Sequence, residues 1–196
     1  MPSRRLVLAS ASPARLRLLR DAGLRPEVMV SGVDESTVTG SAGEQVGALA
    51  RLKCQAVSAL VPDALVIGCD SLLEFEGASM GKPASAAEAT ARWQRLRGRT
   101  GTLLTGHCVI DGATGRRADE VEGTLVHFGT PDDHEVEAYV ASGEPLAVAG
   151  AFTLDGRSAA FIDRIEGGAG NVIGLSLPLL RTLLRRLDVD LVDLWS

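Results

Sequence analysis

The sequence predicts an α/β protein built on a mixed sheet. Short apolar runs such as Arg5–Ala9 and Ala64–Cys69 alternate along the chain with segments that repeat apolar residues at helical spacing. Two further strand-like runs, Thr102–Ile110 and Glu120–Phe128, are joined by the Gly-rich turn Asp111–Gly115. Interleaving of this kind sets helices against a sheet instead of segregating the two classes. At 196 residues the chain is long enough for a substantial core, and no internal repeat, linker or low-complexity segment divides it.

In order along the chain, Arg5–Ala9 reads as a buried strand that breaks at Ser10-Ala11-Ser12-Pro13. Ser12 suits an N-cap, Pro13 the first helical position and Gly23 a stop, so a helix is expected over Pro13–Ala22. Pro26–Ser31 is a second expected strand, ending near Val33–Ser36, and Thr37–Gly43 a polar loop. A helix over Glu44–Leu60 follows from Val46, Leu49, Ala50, Val57 and Leu60 at the 3.6-residue period, and Lys53 falls on that apolar face. The run Ala64–Cys69 is expected to stop at Asp70-Ser71, with extended structure resuming over Leu72–Phe75 before a turn at Glu76-Gly77. Ser85 and Glu88 have the spacing of a capping box for a helix to about Leu96, and Gly98–Gly101 punctuates the chain. Thr130–Asp133 opens a helix that Gly143 ends. Leu146–Glu166 reads as short strands and turns, and Leu177–Leu187 as a C-terminal helix.

Composition narrows the function. A formal net charge of −5 disfavours nucleic acid as a partner, so the arginine clusters at 95, 97 and 99 and at 181, 185 and 186 read as solvated helix faces or ends. There is no secretory leader pattern and no apolar run of spanning length, so no membrane partner is expected. Cys54, Cys69 and Cys108 are odd in number and widely spaced, which reads as reduced, buried residues of a cytoplasmic protein. His107, His127 and His134 form no ligand pattern and read as structural or surface residues.

Of 20 Lys and Arg residues only Lys53 and Lys82 are lysines. An ammonium on a flexible stem suits a point contact to a phosphate or carboxylate that a planar guanidinium makes differently; the alternative is a stem lying along apolar surface with its head in water. Lys82 sits in the turn Gly81-Lys82-Pro83. Ser10 and Ser12, with the helix start and Arg15, offer N–H groups, hydroxyls and a cation to an anion, although a Ser-Pro helix start can be a cap and nothing more. Asp34-Glu35 could hold a hard divalent cation or simply be a solvated loop. Asp70 closes an apolar strand, where ligands of α/β sheets bind, and a buried carboxylate needs a partner. Anion donors, two lysines, an arginine and three carboxylates together describe a metal–polyphosphate site.

These residues resemble the Maf family, and the likeness covers nearly the whole chain. Leu8–Arg15, Val33–Glu35, the Lys53 helix, Ile67–Ser71, Gly81–Pro83, Leu104–Gly106, Glu137–Pro145, Ile165–Gly167 and Asn171–Leu175 occur in the family's order. The resemblance implies one two-lobed domain over residues 1–196, with a central cleft and an elongated mixed sheet similar to the inosine-triphosphatase fold. It implies a homodimeric nucleoside triphosphate pyrophosphatase that leaves the monophosphate from dTTP, UTP or modified nucleotides. It maps the catalytic aspartate to Asp70, the phosphate and metal positions to Ser10, Ser12, Arg15, Lys53, Lys82 and Glu35, and a divalent cation (Mg²⁺ or Mn²⁺) to Glu35 and Asp70. The family name also carries a rival reading, a non-catalytic nucleotide-binding regulator of septum formation. Three positions bear on base specificity: Ala14 stands for an Arg common in the family, and Ser71 and Asp155 stand for the Thr and Gln of its dTTP/UTP branch, while the 7-methyl-GTP branch tends to carry an acid at the position of Asp155.

Overall fold

The computed structural model describes residues 4–195. The chain runs β1 (Leu6–Leu8), α1 (Pro13–Asp21), β2 (Glu27–Val28), α2 (Ala42–Ser58), β3 (Leu65–Phe75), β4 (Ala78–Met80), α3 (Ala86–Leu96), β5 (Thr100–Asp111), β6 (Arg116–Phe128), α4 (Asp133–Ala141), β7 (Ile162–Glu166), α5 (Ala169–Ile173) and α6 (Leu177–Arg186), with short 3₁₀ turns between. The strands form one sheet in the order β2-β1-β3-β5-β6-β7, with β4 paired to β3. β1 is parallel to β2 and β3, while β3–β4 and β6–β7 are antiparallel, so the sheet is mixed, as the interleaved sequence pattern predicts. The chain divides into two compact units, and three of the four crossings fall within strands, after Asp70 in β3, after Leu104 in β5 and after Glu122 in β6, the fourth following α5 at Ile173.

The first unit holds residues 1–70, 105–122 and 174–196. β1, the first half of β3 and the second half of β5 are buried on both faces, which is why they read as continuous apolar runs and not as alternating ones. Leu6 and Leu8 of β1, Leu65, Ile67 and Cys69 of β3 and Val109 of β5 pack with Leu19 of α1 and Leu180, Leu183 and Leu184 of α6. The intervening residues Val7, Ala9, Val66, Cys108 and Ile110 pack with Ala50, Cys54 and Val57 of α2 on the opposite face. The two-residue period of a strand then places Gly68 and Asp70 on the α2 face of β3, and Gly106 on the α2 face of β5.

Both glycines are required by how closely α2 approaches. A Cβ at Gly106 would lie 2.1 Å from the Val46 carbonyl oxygen, and one at Gly68 would lie 2.5 Å from the Ala50 carbonyl oxygen and 2.8 Å from Cys54 Cβ. α2 begins earlier than its apolar periodicity suggests, because Ser41 and Glu44 close a full capping box ahead of it, and it ends at Ser58 instead of Leu60.

The second unit holds residues 71–104 and 123–173. Its core gathers around Trp93 of α3, which meets Phe128, Tyr139 and Phe161 edge to face at 5.7–5.8 Å between ring centroids. The indole N–H donates to the Ala151 carbonyl at 2.8 Å.

Several sequence expectations are corrected. β3 does not stop at Asp70-Ser71; it continues to Phe75, because a carboxylate with a partner on the α2 face leaves the ladder intact. The second strand shrinks to Glu27–Val28, and Glu35–Thr37, expected as the end of a strand and the start of a loop, is a 3₁₀ turn capped by Asp34. Leu146–Glu166 is largely 3₁₀ turns at Glu144–Ala147, Ala149–Ala151 and Arg157–Phe161, with extended structure confined to Ile162–Glu166. The capping box at α3 is half made: Ser85 accepts from the Glu88 N–H, but the Glu88 carboxylate accepts from Ala84 N–H instead of Ser85. β4 and α5 are too short to show a period and have no counterpart in the sequence reading.

Gly106→Ala should destabilise the protein by at least the upper end of the ~1–3 kcal/mol typical of overpacking, because the clash is with backbone and cannot be relieved by a rotamer. Gly68→Ala should cost a similar amount. Denaturant unfolding of the two variants measures this; an unchanged midpoint would show that α2 can lift from the sheet freely.

Candidate functional site

Three charged side chains meet on the α2 face of the first unit. Lys53 Nζ lies 2.6 Å from Asp70 Oδ1 and 2.6 Å from Glu35 Oε1. Lys53 and Asp70 keep only 11% and 12% of their side-chain surface exposed, while Glu35 keeps 55%, so the ammonium joins one interior carboxylate to one at the solvent edge. The placement follows from local sequence. Lys53 shares the helix face of Val46, Ala50 and Val57, and Asp70 shares the strand face of Gly68. Glu35 is set by the 3₁₀ turn that Asp34 caps, with the Asp34 carboxylate accepting from Ser36 N–H at 3.0 Å and from the Ser36 hydroxyl at 2.7 Å. Those two hydrogen bonds, the hydroxyl's first, hold Asp34 below the usual carboxylate range.

Burial is the main influence on Asp70 and pushes its carboxyl above the ordinary value. The Lys53 charge and hydrogen bond and the Arg15 charge oppose it, and Glu35 adds to it.

The turn after β1 supplies the second element. Ser10 is buried, and its hydroxyl oxygen accepts from Ser12 N–H at 3.1 Å and from Arg15 Nη1 at 3.2 Å. Ser12 caps α1, accepting from Arg15 N–H at 3.4 Å. Arg15 is itself buried and donates through Nε to the Gly174 carbonyl at 2.8 Å. Gly174 has a φ of +121°, and a Cβ there would stand 3.2 Å from Arg15 Nε, so Gly174 serves as the seat of this guanidinium. Ala14 lies in the first turn of the same helix.

His107 supports that seat. Its Nε2 accepts from Ser176 N–H at 2.8 Å, at the cap of α6, and its Nδ1 lies 3.0 Å from the Thr105 carbonyl. A carbonyl can only accept and an amide can only donate, so the ring is the neutral Nδ1–H tautomer. Burial first, and the Arg15 charge second, lower its pKa to about 4. Sequence reasoning assigns this histidine no more than a structural or surface role; its link to Arg15 comes from contacts 69 and more residues apart in sequence, which no local signal could reveal.

The remaining candidates belong to the second unit. Lys82 is exposed, in a bend fixed by the Gly81 carbonyl, which accepts from Arg92 Nη1 at 2.5 Å and from Gly150 N–H at 3.1 Å. Ser71 is half-buried in β3, and Asp155 is exposed in the bend Leu154–Gly156.

Among the described residues no group of three or more His, Cys, Asp or Glu converges as a metal cage. The donor set is instead two hard carboxylates, Glu35 and Asp70, gathered on one ammonium. That number suits Mg²⁺ or a similar ion, which is commonly held by one or two carboxylates and completes its shell with water and substrate phosphates. All three cysteines are free and buried, and no helix among the described residues is long and apolar enough to cross a membrane.

The mixed α/β sheet thus carries a hydroxyl-and-arginine turn at one strand end and a lysine clasped by two carboxylates at another. The chain belongs to the Maf family: the family's model, described as Maf-like protein, matches residues 5–187. It is 62% identical to a nucleoside triphosphate pyrophosphatase of Streptomyces coelicolor, with 100% of this chain and 96% of that protein covered. It is 59% identical to one from Streptomyces avermitilis over the same shares, and 51% identical to one from Synechocystis, with 96% of this chain and 97% of the relative covered.

The histidine gives a pH test. Unfolded, it takes a proton near 6.5; folded, not until about 4. Between those values the unfolded state binds more protons, so stability should fall as pH falls through the window, by up to about 3 kcal/mol. His107→Gln can keep one donor and one acceptor without titrating and should lack this component. Denaturant unfolding at pH 7 and pH 4.5 compares them; equal losses in both proteins would assign the pH dependence to other groups.

Proposed function

We propose that this protein cleaves nucleoside triphosphates between the α- and β-phosphates, releasing pyrophosphate and leaving the monophosphate. As a member of the Maf family it is a hydrolase of nucleotide metabolism. The observation that carries the reading is the lysine shared at 2.6 Å by two carboxylates, one of them the buried Asp70.

In this reading Asp70 is the general base. Its carboxylate takes a proton from a water as that water attacks the α-phosphorus, the bond from the α-phosphorus to the bridging oxygen breaks, and the electron pair leaves with pyrophosphate. A carboxyl raised by burial is a better base at neutral pH than an ordinary aspartate. Lys53 and Lys82 neutralise phosphate charge, the role of Lys82 resting on the family resemblance. Ser10, Ser12 and Arg15 hold the phosphate chain at the start of α1, where N–H groups and the helix dipole favour an anion. Glu35 and Asp70 would hold a Mg²⁺ or Mn²⁺ ion, whose charge would stabilise the phosphates as negative charge builds on the leaving group.

Asp70→Asn keeps the shape and loses the base, so turnover should fall by roughly 10²–10⁴-fold while nucleotide binding persists. Pyrophosphate release from a panel of triphosphates with Mg²⁺ or Mn²⁺ measures both the activity and this loss. A wild-type protein that releases none would overturn the proposed reaction, and a fully active variant would remove Asp70 from the base role.

Asp155 bears on the base. An ionised carboxylate only accepts, whereas the Gln of the family's dTTP/UTP branch both donates and accepts, as the N3–H and carbonyls of dTTP or UTP require. We infer a weakened preference for those pyrimidines, with guanine-type edges relatively favoured. Asp155→Gln should then shift relative kcat/KM toward dTTP and UTP, by an amount equivalent to one hydrogen bond, about 1–3 kcal/mol. An unchanged ranking would leave base selection to other residues.

A further inference from the structure

The two carboxylates that would hold a metal are already committed to Lys53. Its Nζ stands 2.6 Å from Glu35 Oε1 and 2.6 Å from Asp70 Oδ1, spending two of its three N–H donors on the atoms an ion would need. A divalent ion bound by those oxygens at about 2.0–2.1 Å would sit against the ammonium, and two positive charges at such range repel strongly in a partly buried site. Arg15 Nε and Nη1 are engaged with the Gly174 carbonyl and the Ser10 hydroxyl. Asp70 sits on a strand and Glu35 on a capped turn, so the backbones beneath both carboxylates are held. The lysine, on a four-carbon stem, can swing its ammonium away from them.

We propose that Lys53 and the divalent ion compete for Glu35 and Asp70, and that a triphosphate relieves the competition by drawing the ammonium onto its own oxygens. Metal and nucleotide then bind cooperatively, each favouring the arrangement the other needs. This rests on the reading of the site as one for a metal and a triphosphate. It also gives a reason for a lysine at position 53 in a chain whose only other lysine is Lys82: a guanidinium clamped bidentately on carboxylates would not release them as readily.

The test is Mn²⁺ binding to the full chain, read by the electron paramagnetic resonance signal of free Mn²⁺, with and without a triphosphate bearing a methylene bridge between the α- and β-phosphorus. Wild-type protein should bind Mn²⁺ more tightly by about 5–150-fold when the analogue is present, the usual size of a coupling between sites. Lys53→Met should bind Mn²⁺ without analogue more tightly than wild type by a comparable factor and gain little from the analogue. Lys53→Arg should stay weak without it. If Lys53→Met does not fold, Lys53→Gln carries the same expectation. A neutral variant that binds Mn²⁺ no more tightly than wild type would overturn the competition, and an analogue that leaves wild-type affinity unchanged would overturn the coupling. Metal occupancy is read without turnover. Absence of pyrophosphate release from cleavable triphosphates would therefore count against the proposed reaction, and not against the competition.

Discussion

The close seating of α2 on the sheet is the constraint from which the site follows. Gly68 and Gly106 remove side chains where the helix backbone would otherwise collide with the strands, and only then does the helix face bearing Val46, Ala50 and Cys54 reach the core. Lys53 rides on that face. Its ammonium meets Asp70 because Asp70 lies two residues beyond Gly68, on the same side of the strand. A strand advances about 6.6–6.8 Å over two residues and a helix about 4.5 Å over three, so a small lift or slide of α2 would part the pair. The packing of glycines thus sets an electrostatic distance.

The charge cluster is uneven by construction. Asp70 is interior and raised by its burial; Glu35 is half exposed, where an ion pair contributes little to stability. The pair Lys53–Asp70 is the one that matters for folding, since breaking either partner leaves a charge stranded in a poorly solvated place. Arg15 is handled differently. Its guanidinium is held by the Gly174 carbonyl and the Ser10 hydroxyl, and its charge acts on Asp70 together with that of Lys53.

Much of this was legible in the sequence because it rests on period and composition. The helical period put Lys53 on the buried face, the Ser-Pro start put Ser12 at a cap, and the scarcity of lysine singled out Lys53 and Lys82. What stayed hidden depends on contacts between distant residues. The Arg15–Gly174 bond spans 159 positions and the His107–Ser176 bond 69, and neither leaves a local pattern. The supposed break at Asp70 failed for a related reason: a carboxylate in an apolar run looks like a terminator until the helix that pairs with it is known. The 3₁₀ turns between Gly143 and Phe161 escaped because their three to five residues are too few to display a period.

The contrast between the two lysines has a practical side for chemical handling. Lys53 is shielded by the cluster it serves, whereas Lys82 stands in solvent on an anchored bend. Of the side-chain amines in this chain, an acylating reagent or an amine-coupling surface would therefore capture Lys82 first. Labels and sensor chips attached that way would fall on a loop the family resemblance assigns to phosphate, so a probe meant to leave the protein unperturbed belongs elsewhere, for instance on a cysteine introduced at an exposed position, the three native thiols being buried.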